Sequence, residues 1–133
     1  MVSKDFEVSS LSELLVMHRI FREAKFCLEP DDTEISASPI VAKLYLRLMD
    51  ALISSDAALN GESAQQRWNE WLTISESRAE WRVAIGRAKM EQEWSKWSYQ
   101  EKSDYVSDLL SPFIITKENI DHFIEVVNQH SIA

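Results

Sequence analysis

The chain has 133 residues with only two glycines, three prolines and one cysteine. That is enough for one domain burying about two-thirds of its unfolded surface, too little turn chemistry for a β-rich fold, and no basis for an intrachain disulfide. Twenty-two acidic residues against fourteen basic ones leave a net charge of −8, which repels a phosphate backbone and argues against direct nucleic-acid binding by counterion release.

Residues 1–9 read as a polar arm. Ser10 and Glu13 then match a capping box, in which the serine serves the third helical N–H and the glutamate reaches back to the cap. The helix it opens is expected over residues 11–28, where Leu14, Met17, Phe21, Ala24 and Leu28 recur at three and four and mark a core stripe. Cys27 flanks that stripe and reads as a small buried hydrophobe. His18, Arg22 and Lys25 lie on the other side and read as a solvated basic strip. Residues 29–37, EPDDTEISA, hold Glu29, Asp31, Asp32 and Glu34 and no basic residue. They read as a loop, either a solvated linker or an acidic docking site for a basic partner. The alternate-ligand spacing and central glycine of a calcium loop are missing.

Ser38 followed by Pro39 is a helix start, because proline is pre-set for the first helical position. Residues 39–54, PIVAKLYLRLMDALIS, are apolar nearly all round, with only Lys43, Arg47 and Asp50 as a polar strip. They are expected to form a near-central, deeply buried helix. Asn60-Gly61 ends the segment.

Residues 63–97 carry all five tryptophans and read as a tryptophan-rich helical hairpin. Trp68/Trp71 and Trp94/Trp97 are each three apart, so each pair shares one helix face. The break is expected between Leu72 and Ser77, where the capping boxes Thr73/Glu76 and Ser77/Glu80 overlap. The second helix is expected to run from about Glu76 to Trp97 with two apolar arcs. Trp81, Ala84, Ile85 and Ala88 form one; Val83, Gly86, Met90, Trp94 and Trp97 form the other. Gly86, unfavourable in a helix interior, suggests a neighbouring backbone in close approach. This stretch is also the least acidic: it has six basic residues against five acidic, compared with six against eleven before it and two against six after it.

Ser98 and Glu101 cap a helix to Leu110 that buries Tyr105, Val106, Leu109 and Leu110, and Pro112 breaks it. Ile114-Ile115 reads as an extended connector. Thr116 caps a last helix with Ile120, Phe123, Ile124 and Val127 inward, fading after Asn128. The pattern predicts an all-α, single-domain bundle of about six helices. No window approaches about 18 apolar residues and the N-terminus has no signal-peptide pattern, so the expectation is a cytoplasmic protein with no membrane span.

No motif names a chemistry. His122 shares a helix face with Glu118 and Glu125, half of a conceivable metal site, but no second half exists in the sequence, so neither metal nor cofactor is expected. There is no G-x-S-x-G elbow and no glycine-rich phosphate loop. The segment from Ser77 with Arg78, Arg82 and Arg87 is too rich in tryptophan for a recognition helix. Protein binding remains, since tryptophan and arginine supply many interface anchors. The candidate partner-binding residues are Trp94, Trp97, Met90 and Arg87 on the hairpin, and Asp31, Asp32 and Glu34 on the acidic loop. The expected function is a non-enzymatic inhibitor or adaptor that blocks or bridges another protein, plausibly a basic one. In type it is like immunity proteins and phage or plasmid anti-defence proteins, a likeness that locates no residue. One alternative is a structural homodimer whose seam is Val83, Met90 and Trp94. The other is an enzyme or metal protein using the His122 face.

Overall fold

Most helices begin where a side chain can satisfy the free N–H groups of the first turn. A computed structural model describes residues 5–132, so residues 1–4 of the expected arm lie outside it. The Ser10/Glu13 capping box opens α1 (Leu11–Phe26), and Ser38 with Pro39 opens α2 (Pro39–Asn60). Gly61, at φ +78°, stops α2 in the left-handed region that glycine tolerates, and α3 (Glu62–Leu72) follows at once. After α4 (Ala79–Lys89) and a 3-10 turn (Trp94–Lys96), the Ser98/Glu101 box opens α5 (Tyr99–Leu110). The Thr116 hydroxyl accepts the Asn119 N–H at 3.1 Å at the start of α6 (Lys117–Ile132). All regular structure among the described residues is helical, apart from one bridge between Thr73 and Ile114. The Ile114-Ile115 connector is therefore extended, with the Ile114 N–H on the Leu72 carbonyl at 2.8 Å.

Two apolar clusters form the core. Leu14, Tyr45, Met49, Leu52 and Leu72 close the space between α1, α2 and α3. Trp81, Ala88, Leu109, Leu110, Phe123 and Val127 are among those that close it between α4, α5 and α6. Trp71 and Phe26 pack against both. The Trp71 ring stands 4.9 Å from Phe113 and 6.1 Å from Trp68, and the Arg78 guanidinium lies over both Trp71 and Phe113.

Several expectations change. Met90 ends the second tryptophan helix, and the Glu91 carboxylate accepts the Glu93 N–H at 3.1 Å, a local bond that competes with the helical ladder. Trp94 thus belongs to the 3-10 turn and the second arc does not exist: Val83 is buried, Gly86 and Met90 are exposed. No atom lies within 4 Å of a Cβ built on Gly86, so no backbone approaches it. The overlapping capping boxes do not form either; Thr73 donates back to the Asn69 carbonyl at 2.9 Å, and α4 starts after Arg78 without a side-chain cap. The two tryptophan helices find their main partners elsewhere, α3 on α2 and α4 on α5 and α6.

Helix α2 is longer than residues 39–54 and less enclosed. Its Ala42, Tyr45, Met49 and Leu52 are buried, while Ile40 and Leu44 on one side and Leu46 on another are exposed. Helix α1 stops before Leu28, which is exposed, and α6 continues past Asn128. Of the basic strip on α1 only Arg22 is solvated: His18 is 5% and Lys25 1% exposed. No described helix is long and apolar enough to cross a membrane.

Candidate partner-binding cleft

The acidic loop is held at both ends by cationic side chains. Lys25, near the end of α1, points inward and donates to the Ser36 carbonyl at 3.1 Å and to the Asp108 carbonyl at 2.7 Å. The Asp108 carbonyl belongs to the last turn of α5, where carbonyls lack helical partners and a cation is favoured. Burial pulls the Lys25 ammonium down to about 8, against an opposing pull from the Asp108 carboxylate. At the other end, Arg87 of α4 donates from Nη2 to the Cys27 carbonyl at 2.9 Å, while its Nε is buried with no acceptor. Within the loop, the Asp32 carboxylate accepts the Glu34 N–H at 2.9 Å and shapes a tight turn.

Pinned in this way, the loop forms one wall of a cleft of about 530 Å³. Glu34, Ala37 and Pro39 line it from the loop and the start of α2, Arg87, Met90 and Glu91 from the end of α4, and Tyr105 from α5. Met90 is 74% exposed. The Tyr105 ring packs at 4.9 Å on Trp97 and 6.1 Å on Trp94, which fixes its position. Burial raises the Tyr105 phenol to about 12; the nearby Glu91 carboxylate pushes the same way and Arg87 opposes. Among the described residues no ion pair engages Glu29, Asp31, Asp32, Glu34 or Glu91.

The candidate residues therefore sort into three groups. Glu34, Arg87 and Met90, taken from two separate stretches, meet in this one cleft. Asp31 and Asp32 are exposed on the same loop, outside its lining, and Trp97 is half-buried behind Tyr105. Trp94 is 2% exposed; its indole N–H donates to Asn128 at 2.8 Å and the Lys102 ammonium lies 5.2 Å over its ring. It is a core residue and offers no ring to a partner. Tyr105 and Glu91 were missed: Tyr105 fits the inward stripe of α5, and only the early end of α4 turns Glu91 toward the loop.

A second group of polar side chains lies deep between α1, α2 and α3. The Tyr45 hydroxyl meets His18 Nδ1 at 2.7 Å, and the imidazole stands edge-on to Trp68 and Trp71 at 5.5 and 4.8 Å. Burial, with Arg22 nearby, lowers His18 to about 4, and burial also raises Tyr45. Trp68 Nε1 donates to Asp56 at 2.7 Å, and Asn60 donates to the same carboxylate. These groups fasten three helices together and lie outside the lining of the cleft above. On α6, His122 lies 3.2 Å from Glu76 and stacks on Trp81. Among the described residues, no cluster of three or more histidine, cysteine, aspartate or glutamate side chains is placed to hold a metal ion.

No family model, curated protein or solved structure matches the chain.

Proposed function

We propose that this chain is a non-enzymatic protein-binding protein that blocks or bridges a partner, docking it at the cleft between residues 29–37 and the end of α4. What supports this reading is one juxtaposition: an exposed methionine and an arginine at the end of α4 beside a loop whose carboxylates form no ion pair among the described residues. Methionine adapts its shape to a partner, and unpaired carboxylates steer an oppositely charged one. The partner is accordingly a basic protein. Affinity capture from the source cells tests it, with wild type, Met90→Asp and an Asp31→Lys/Asp32→Lys/Glu34→Lys variant as baits, each first shown to melt like wild type. A basic protein retained in stoichiometric amount by wild type and lost by both variants is expected. Retention of nothing, or equal retention by all three, overturns the reading.

A homodimer is the second reading, and the outer side of α1 and α2 supports it. Phe6, 85% exposed, lies with the exposed Val16 and Leu44 and the half-buried Met17 along grooves between the arm and these helices. The seam moves accordingly from Val83 and Trp94, which are buried, to this side. Sedimentation equilibrium should then give a concentration-dependent mass that Val16→Asp/Leu44→Asp returns to that of a monomer.

A further inference from the structure

We infer that the cleft receives an arginine or lysine side chain from a basic segment of the partner; this rests on the protein-binding reading above and specifies the chemistry of the contact. Two acidic residues line the cleft, Glu34 from the loop and Glu91 just past the end of α4. Among the described residues neither is in an ion pair, and the one hydrogen bond to either side chain is that of Glu91 from the Glu93 N–H. The single cation in the lining, Arg87, is already turned to the Cys27 carbonyl as part of the wall. The lining thus carries two carboxylates against one guanidinium, a net negative charge.

The remaining walls suit a long aliphatic stem with a charged end. Met90 and Pro39 offer apolar surface to the methylenes. Tyr105 presents an aromatic ring for the cation, and its hydroxyl has no hydrogen-bond partner among the described residues and can accept from a guanidinium. A purely apolar side chain would desolvate both carboxylates without pairing them, and an acidic one would add repulsion. The start of α2 also opens here and would favour an anion, but the Ser38 hydroxyl already accepts the Val41 N–H at 3.2 Å, and Glu34 and Glu91 oppose a negative ligand.

The test uses the isotope-labelled full chain and heteronuclear NMR. The probes are the blocked tripeptides Gly-Arg-Gly, Gly-Lys-Gly and Gly-Glu-Gly and inorganic phosphate. Saturable shifts at Glu34, Met90, Glu91 and Tyr105 are expected with the arginine and lysine peptides alone. They should weaken about tenfold in a Glu34→Gln/Glu91→Gln variant that keeps the wild-type spectrum elsewhere, and weaken again as salt is raised. Because a glutamine variant that misfolds would be silent, the salt series on wild type is the second measurement. Shifts of equal size with the glutamate peptide or phosphate overturn the inference, as do arginine shifts indifferent to both glutamines and salt, or no arginine shifts. The two readings fail separately. Arginine binding without a captured protein removes the partner and keeps the site; a captured protein whose retention survives Glu34→Gln/Glu91→Gln removes the site and keeps the partner.

Discussion

Two buried titratable side chains make stability depend on pH at opposite ends of the scale. His18 is lowered from 6.5 to about 4 by burial, so between these values the unfolded chain binds a proton that the folded one refuses. Its contribution is full above pH 6.5 and is lost as pH falls toward 4, by roughly 2 to 3 kcal/mol. Urea unfolding of wild type and His18→Gln at pH 7.5 and 4.5 isolates it, because glutamine does not titrate; equal slopes with pH would show that His18 is not held neutral. Lys25, lowered from 10.5 to about 8, works in the other range. Between pH 8 and 10 the unfolded chain keeps the proton longer, so stability rises with pH, by about 2 kcal/mol up to pH 10. Above pH 10 Tyr45 and Tyr105, both raised by burial, pull the other way. Lys25→Met should abolish the rise and, since it strips the donor from the Ser36 and Asp108 carbonyls, loosen residues 29–37 in hydrogen exchange. Neither side chain was legible as buried. Each sits on the polar side of a helical wheel, and only the neighbours that cover that side remove it from water.

At the scale of elements, helix starts were readable and helix ends less so. A capping box is local chemistry, satisfied within four residues whatever lies around it, and those at Ser10 and Ser98 formed as expected. At the end of α4 the local bond from the Glu93 N–H to Glu91 is joined by a tertiary one, the Trp94 indole N–H on Asn128 of α6. The exposed interior of α4 offers a clean test. Gly86 has open space where a Cβ would stand, so Gly86→Ala should stabilise the chain by about 0.5 to 1 kcal/mol in urea denaturation. A loss of stability would mean a close neighbour at that position after all. The candidate residues divided along the same line: Met90 is exposed and Arg87 lines the cleft, whereas Trp94 was expected on a surface that the early end of α4 turned into core.

Across the whole molecule, the two apolar clusters are joined by the side chains packed against both, Trp71 and Phe26. Trp71 is the largest of these, touching His18 and Trp68 on one side and Phe113 on the other. Trp71→Ala should therefore remove about 3 to 5 kcal/mol and uncouple the halves. Circular dichroism and tryptophan fluorescence, expected to coincide during unfolding of wild type, should then separate; coincidence in the variant would place the coupling elsewhere, Phe26 being the next candidate. The sequence by itself determined the all-helical class, the number of helices and most of their starts, because periodicity and capping act within a few residues. Which faces were covered, and so which residues were available to a partner, only the tertiary structure decided. Helix α2 is apolar almost all round yet leaves Ile40 and Leu44 in the open, and the cleft draws on residues 34, 87, 91 and 105, which nothing local brings together. Burial belongs to a pair of surfaces, and a linear pattern describes only one of them.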